Sequence, residues 1–249
     1  MNNNSLFQEM LGEDFAIDTN VDIVFVIDAT ESMQPLLDKV KNLTLTFRDE
    51  LEKGLSKNKR KINKLRTKVI VYRDFYVDGQ YAMEESPFYQ LPEQTSAFHQ
   101  FVSQIRAGGG GDEPENGLEA LAVALRSNFV TDGTKKRHII VLFTDASAHP
   151  LELQQEGVPG NYPPNMFKDL GEVYQFWGNG QDMLGSSFGS SAQMIKDAKR
   201  LVLFAPNMYP WNDMEMDLEN VIRKDMDKGN GGRDLDLDDV IALVANSIA

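Results

Sequence analysis

The sequence predicts an α/β fold with a doubly wound, mainly parallel central sheet, one antiparallel edge strand and helices on both faces. Two observations lead to this prediction: short continuous apolar segments rich in β-branched residues, and amphipathic helical patterns between them. Continuous apolar segments are typical of strands covered on both faces, and their alternation with helices is typical of parallel sheets. The chain of 249 residues can form one large domain with a substantial core.

Four segments have the pattern of buried strands. They lie at residues 21–27, 68–72, 138–143 and 201–204, and the last three read KVIVY, HIIVLF and LVLF. An antiparallel edge strand is expected within residues 76–81, which read YVDGQY, because Asp-Gly is a common hairpin turn.

Four helical patterns accompany these strands, with apolar residues repeating at a period near 3.6. They span residues 33–51, 98–105, 118–125 and 237–248, and Pro35 lies in the first turn of the first pattern, where proline is favoured. Residues 150–191 are rich in Gly and Pro but include a helical piece. We therefore divide the chain into an N-terminal extension at residues 1–20 and one domain at residues 21–249, with an elaborated connection at about 150–191.

The composition excludes several classes of function. No cysteine is present, which excludes a disulfide framework and thiolate metal sites. The formal net charge is −13, which argues against nucleic acid as a partner, and the basic stretch at residues 53–68 is interpreted as a solvated helix end and loop. No signal-peptide pattern or apolar stretch of membrane-spanning length is visible, so we expect a cytoplasmic protein without a membrane partner.

Oxygen-bearing side chains follow three of the predicted elements. Asp28, Thr30 and Ser32 alternate directly after the first strand, Asp112 follows four glycines before a predicted helix, and Asp145 follows the strand HIIVLF. Ligands of open α/β sheets bind outside the carboxyl ends of the strands, so we expect these side chains to meet there.

This set of side chains predicts a site for a hard divalent cation. Hydroxyls and carboxylates without His or Cys favour Mg²⁺, and then Mn²⁺ or Ca²⁺. Neutral hydroxyl ligands leave the cation with much of its positive charge, so it can attract a carboxylate from outside. The glycines do not form a phosphate loop, because no Lys follows them in the GxxxxGK[ST] pattern.

The motifs that carry this chemistry also resemble a known family. They read DIVFVIDATESM, GGGGDEPENGLEAL and, at the end of a strand, FTDAS, in that order along the α/β pattern. From about residue 21 onward the sequence resembles a von Willebrand factor type A domain with its metal-ion-dependent adhesion site, Asp-x-Ser/Thr-x-Ser. Together with GGGGDEPENGLEAL, the segments VYRDF and LVLFAPNMYPW resemble an intracellular subgroup that includes domains attached to, or encoded beside, protein kinases and phosphatases.

The resemblance implies a role for each residue of the site. Thr30 and Ser32 match the hydroxyls that bind the metal directly, whereas Asp28 and Asp145 match acids that commonly act through water and orient the direct ligands. Alternatively, these residues have only structural roles: Thr30 and Ser32 cap the following helix, and Asp145 forms a turn.

The second motif departs from the best-known version of the family. Asp112 stands where many relatives have a threonine ligand, which adds a negative charge and should hold the cation more firmly. Glu113 is adjacent and competes with Asp112 for this role.

The function that the resemblance implies is non-catalytic protein binding. A cation held by the site recruits an acidic residue of a partner protein, in a regulatory or scaffold role within an intracellular assembly linked to a kinase or phosphatase. The alternative enzyme is an aspartate-nucleophile phosphotransferase with Asp28 as nucleophile, although Thr30 occupies the position of its second acid. A metal-free structural α/β interaction domain is the third hypothesis.

Overall fold

A seven-stranded sheet lies at the centre of the structure, which is a computed structural model that describes residues 19–56, 62–111, 113–178 and 194–248. The strands are β1 (Thr19–Asp28), β2 (Ile62–Tyr72), β3 (Met83–Glu85), β4 (Tyr89–Leu91), β5 (Lys135–Phe143), β6 (Lys199–Ala205) and β7 (Val221–Asp225). Their spatial order is β3-β2-β1-β5-β6-β7, and β4 pairs with β2 beside β3. All four predicted strands are present, whereas β7 is an additional parallel edge strand whose mostly polar residues carry no apolar signal.

The pairing confirms the predicted mainly parallel sheet. β1 is parallel to β2 and β5, and β6 is parallel to β5 and β7, whereas β3 and β4 run antiparallel along successive parts of β2. The antiparallel edge therefore consists of two short strands.

The placement of an antiparallel strand at residues 76–81 was wrong. Those residues belong to the short helix α2 (Phe75–Asp78) and a 3₁₀ turn at Gly79–Tyr81, and strand β3 follows them. The Asp74 carboxylate accepts a hydrogen bond from the backbone N–H of Tyr76 at 2.7 Å, so it caps a helical turn. This cap overrides the Asp-Gly hairpin signal, and Gly79 ends the turn with φ +53°.

Six further helices cover the sheet in the part of the chain that the structure describes. They are α1 (Gln34–Ser56), α3 (Thr95–Gln104), α4 (Gly117–Leu125), α5 (Leu170–Trp177), α6 (Trp211–Asp217) and α7 (Leu237–Ile248). The four predicted helices correspond to α1, α3, α4 and α7. The described part of the long connection contains a 3₁₀ helix at Leu151–Glu156 and α5. Residues 179–193, which include the end of this connection, lie outside the description, as do residues 1–18. None of the described helices combines the length and apolarity needed to cross a membrane.

Strand β1 explains why helices lie on both faces. All ten of its residues are buried, and alternate side chains point to opposite faces. Ile23, Phe25 and Ile27 join a core with α1, α3 and α7, whereas Val24 and Val26 join a second core with α4, α5 and α6. Two cores separated by one sheet hold the carboxyl end of β1 in a fixed position.

Gly117 provides a test of packing in the second core. A Cβ added there would lie 2.9 Å from ring carbons of Trp211 and 3.1 Å from the Tyr72 hydroxyl, and Trp211 is fully buried with its N–H bonded to the Ala146 carbonyl. We expect Gly117→Ala to destabilise the protein by about 1–3 kcal/mol in urea denaturation, because overpacking outweighs the gain in helix propensity. Gly160→Ala is the control, since no atom lies within 4 Å of its added Cβ, and equal effects of the two changes would contradict the prediction.

Candidate metal centre

The carboxyl ends of β1 and β5 are neighbours in the sheet, and both carry acids of the predicted site. Asp28 is the last residue of β1, and Thr144 and Asp145 follow directly after β5. We call this edge of the sheet, with the loops that begin there, the crest.

Asp28 orients the first hydroxyl of the site. Its carboxylate is buried, with Oδ1 accepting hydrogen bonds from the Thr30 backbone N–H at 2.9 Å and from Thr30 Oγ1 at 2.7 Å. Oδ2 accepts a bond from Thr144 Oγ1 at 2.8 Å. Thr30 forms no capping bond through its side chain at the following 3₁₀ turn, so its hydroxyl serves the crest and not the helix.

Ser32 and Asp145 continue the same network. Ser32 Oγ donates to Asp145 Oδ1 at 3.1 Å and lies 3.4 Å from Thr30 Oγ1. Neighbouring ligands of an octahedral Mg²⁺, each about 2.1 Å from the ion, are about 3 Å apart. The 3.4 Å between the hydroxyl oxygens of Thr30 and Ser32 is close to this spacing. The structure thus brings together four of the five predicted residues, namely Asp28, Thr30, Ser32 and Asp145.

The fifth predicted residue, Asp112, lies outside the described residues. Its neighbour Glu113 is directed elsewhere: Oε1 accepts a hydrogen bond from the Ser147 backbone N–H at 2.9 Å, and Oε2 forms an ion pair with Lys228. Burial opposes ionisation of Glu113, but the bonds from Lys228 and Ser147 outweigh it and lower its pKa. Glu113 is therefore engaged with groups other than Thr30 and Ser32.

Of the two acids of the second motif that the structure describes, Glu115, which the sequence interpretation overlooked, is the one that lies beside Thr30. Its backbone is held by the segment after β5: its N–H donates to the Ser147 carbonyl at 3.1 Å, and its carbonyl accepts from the His149 N–H at 2.9 Å. A Cβ added to Gly110 would lie 2.7 Å from Glu115 Oε1 and 2.8 Å from Thr30 Cγ2, so these two side chains flank the same glycine.

The environment of Glu115 opposes the ionisation of its carboxyl group. The residue is 6% exposed, and its Oε2 has no hydrogen-bond partner among the described residues. Burial, followed by the charges of Asp28, Asp74, Asp78 and Asp145, raises the pKa of Glu115 to about 9.

The pKa of the Asp28 carboxyl is also raised, but by less. Burial raises its pKa to about 6, although the hydrogen bonds from Thr30 and Thr144 act in the opposite direction. A dication among these groups would offset the cost of their ionisation.

The donor set of the crest mixes hydroxyls with carboxylates. Within residues 19–56, 62–111, 113–178 and 194–248, no three His, Asp or Glu side chains converge as a metal site without hydroxyls. The crest offers the hydroxyls of Thr30 and Ser32 together with the carboxyl groups of Asp28 and Asp145. This composition fits a hard cation that prefers oxygen ligands.

A glycine-rich loop between β7 and α7 completes the crest, and no sequence motif pointed to it. The Gly231 N–H donates to Asp145 Oδ2 at 2.7 Å, and the Gly229 N–H donates to the Asp145 carbonyl at 2.9 Å. Lys39 of α1 holds the continuation of the loop through the carbonyls of Gly232, Arg233 and Leu235, at 2.7–3.0 Å. Asp145 therefore bonds Ser32 of the site through Oδ1 and Gly231 of this loop through Oδ2.

Comparison with known proteins supports the family resemblance. Residues 84–158 match the family model of the von Willebrand factor A domain, a range that contains Glu115 and Asp145 and begins after the Asp28–Ser32 segment. A curated protein of Dictyostelium discoideum, "Alpha-protein kinase vwkA", is 28% identical over 145 residues, which are 57% of this chain and 21% of that protein. The chain thus spans about a fifth of the length of this curated relative.

Solved structures show only distant similarity. The pilus adhesin SpaC from Lactobacillus rhamnosus GG is 12% identical over 92% of this chain and 30% of its own, with a TM-score of 0.47. The vWF domain of the type V pili tip protein Mfa5 from Porphyromonas gingivalis is 21% identical over 53% of this chain and 40% of its own, with a TM-score of 0.38. Proximal thread matrix protein 1 from the mussel byssus is 13% identical over 93% of this chain and 48% of its own, with a TM-score of 0.45.

Proposed function

We propose that this chain is a non-catalytic von Willebrand factor A-type module that binds a partner protein through a divalent cation, most favourably Mg²⁺. Thr30, Ser32 and Glu115 would hold the cation directly, and Asp28 and Asp145 would orient the hydroxyls. The cation would then recruit an acidic side chain of the partner. Asp112 remains a candidate for a further ligand.

The observation that carries this proposal is the convergence of two hydroxyls and three acids at the crest. The hydroxyl oxygens of Thr30 and Ser32 lie 3.4 Å apart, and the buried carboxyl of Glu115 has an oxygen without a partner among the described residues. Because the hydroxyls are neutral, a cation bound there keeps part of its charge available for an external carboxylate.

Asp28 is better suited to this role than to that of a nucleophile. Both of its carboxylate oxygens already accept hydrogen bonds, and the group is fully buried. An attacking carboxylate needs an exposed oxygen beside the phosphorus atom of its substrate. Turnover of a phosphoester that disappears in Asp28→Asn would nevertheless favour the phosphotransferase alternative.

The biological setting belongs to the same proposal. The curated relative is named as a protein kinase, and this chain corresponds to about a fifth of it. We propose a cytoplasmic regulatory or scaffold role in an assembly linked to a kinase or phosphatase. The metal would attract an acidic segment there, and neither nucleic acid nor a membrane would be a partner.

Ser32→Ala tests the cation site. We expect the loss of this hydroxyl to weaken Mg²⁺ binding about tenfold in isothermal titration calorimetry, because one ligand and the bond to Asp145 disappear together. Ser103→Ala on α3 removes a hydroxyl that bonds the Gln100 carbonyl, away from the crest, and it should bind Mg²⁺ as the wild type does. If Ser32→Ala retained wild-type affinity, the assignment of the ligands would be wrong.

The recruitment step is tested separately with a probe carboxylate. A short peptide with one Glu should shift amide resonances of the crest in ¹H–¹⁵N spectra when Mg²⁺ is present, and should not do so in EDTA. The same peptide with Gln is the control. Equal shifts with and without Mg²⁺ would argue against recruitment by the metal and for a metal-free interaction domain.

A further inference from the structure

Arg73 links three separate segments next to the crest. It follows β2, and its guanidinium donates hydrogen bonds to three backbone carbonyls: Nε to Gly108 at 2.7 Å, Nη1 to Tyr81 at 2.8 Å and Nη2 to Arg106 at 2.6 Å. The planar fork of an arginine fits such an arrangement, whereas the single ammonium of lysine cannot point to three carbonyls in the same directions.

Arg73 holds the loop at residues 108–111, which consists of four glycines and which we call the glycine loop. This loop pairs with the loop that carries the predicted metal ligands. The Gly108 N–H donates to the Ala29 carbonyl at 3.0 Å, and the Gly109 carbonyl accepts from the Glu31 N–H at 3.4 Å. These two bonds lie on either side of Thr30 in the sequence. The glycine loop therefore fixes the backbone from which the Thr30 hydroxyl projects.

The same loop lies close to both Thr30 and Glu115. Gly110 has no room for a Cβ beside these two side chains, and its N–H donates to Asp78 Oδ2 at 2.9 Å. A displacement of the loop at Gly108 would be transmitted to Gly110, two residues further along, and from there to Thr30 and Glu115. The relative position of a hydroxyl and a carboxylate of the site thus depends on the Gly108 carbonyl.

We infer that Arg73 is a positioning residue for the cation site, an inference that rests on the proposed function. Its guanidinium bonds backbone carbonyls of the neighbouring segments and, among the described residues, none of the proposed ligands. It holds the glycine loop, which bonds the backbone on both sides of Thr30 and lies close to the Glu115 carboxyl. Groups that hydrogen-bond direct ligands typically change metal affinity about 10–100-fold when they are removed, and Arg73, which acts one contact further away, should lie at the lower end of that range.

The surroundings of Arg73 allow a specific test by chemical rescue. Arg73 lines a cleft of about 600 Å³, together with Asp78, Tyr81 and the glycines at 108 and 109. The space left by Arg73→Ala is therefore accessible to a small cation from solution. Methylguanidinium reproduces the planar donor group of arginine and can occupy this space.

The experiment measures Mg²⁺ affinity by calorimetry for the wild type, Arg73→Ala and Arg73→Lys, with and without millimolar methylguanidinium. We expect an affinity loss of about tenfold in Arg73→Ala that methylguanidinium largely restores, and a several-fold loss in Arg73→Lys. Arg126→Ala removes a guanidinium that bonds the Asn165 carbonyl on another face, and it should leave Mg²⁺ affinity unchanged. If Arg73→Ala does not fold, Arg73→Lys carries the test.

Two results would overturn the inference and leave the proposed function intact. One is wild-type Mg²⁺ affinity in Arg73→Ala, or in Arg73→Lys where that variant carries the test. The other is a loss that methylguanidinium does not restore, since that would indicate general damage to the fold. Failure of the wild type itself to bind Mg²⁺ would refute the proposed function, and the inference with it. Amide shifts of residues 108–110 in metal-free ¹H–¹⁵N spectra should move in Arg73→Ala and return with methylguanidinium.

Discussion

Glu115→Gln should weaken Mg²⁺ binding by about 10–100-fold, because it removes a buried negative charge from the ligand set while keeping the shape of the side chain. Glu113→Gln is the matched control from the same motif. Its carboxylate pairs with Lys228 and Ser147 and is not directed at Thr30. Calorimetry on the two variants separates them, and an equal loss in both would contradict the assignment of Glu115.

The wild-type affinity should also depend on pH in a defined direction. In the metal-free protein the pKa of Glu115 is raised to about 9 and that of Asp28 to about 6, so the cation must displace protons in order to bind. Mg²⁺ affinity should therefore rise with pH, most steeply below about pH 6, where both groups are protonated, and less steeply from there to about pH 9. In Glu115→Gln the rise should level off above about pH 6, and a wild-type affinity that does not change with pH would oppose this account.

Stability without metal should change with pH in the opposite direction. Because the pKa of Glu115 is raised from its ordinary value of 4.5 to about 9 in the native state, the native state binds its proton more tightly than the unfolded chain does. This contribution is complete below about pH 4.5 and is lost as the pH rises toward 9. Saturating Mg²⁺ should reduce the loss, and thermal unfolding at about pH 5, 7 and 9 with and without Mg²⁺ measures it.

Most of the crest could be predicted from the sequence because a single topological rule places it. Asp28, Thr30 and Ser32 follow one buried strand and Asp145 follows another, and neighbouring parallel strands end at the same edge. The network from Thr30 to Asp145 follows from that rule. The match of residues 84–158 to the von Willebrand factor A domain confirms the resemblance for that part of the chain.

The acid of the second motif could not be chosen by local rules. Three acids occur within the four residues 112–115, and each can supply an oxygen ligand. The structure distinguishes Glu115 from Glu113 through contacts between distant segments: the backbone of Glu115 pairs with Ser147 and His149, whereas Glu113 meets Lys228. A sequence pattern carries no information about such pairings.

The Gly229–Gly232 loop was missed for a related reason. The hydrogen bond from Gly231 to Asp145 joins residues that are 86 positions apart, and the loop itself has the composition of an ordinary turn. Its place at the crest depends on β7, a strand that is mostly polar, and on Lys39 of α1. Both are features of the assembled fold.

Gly231→Ala is expected to have the largest effect on stability. Gly231 has φ +62°, and an added Cβ would overlap the carbonyl oxygen of Ser32. The backbone cost for a residue with a side chain is about 1–2 kcal/mol, and relief of the overlap adds about 1–3 kcal/mol. The loop must move, so the bond from Gly231 to Asp145 should break and Mg²⁺ affinity should fall together with the free energy of unfolding.

Gly229→Ala separates these contributions. Gly229 has φ +66°, close to that of Gly231, but no atom lies within 4 Å of its added Cβ. This variant should show only the backbone cost, about 1–2 kcal/mol, with Mg²⁺ affinity near that of the wild type. Because the two glycines share one loop and nearly one conformation, the difference between the variants isolates the contact with Ser32. Equal unfolding free energies and equal affinities in the two variants would show that the loop does not support the cation site.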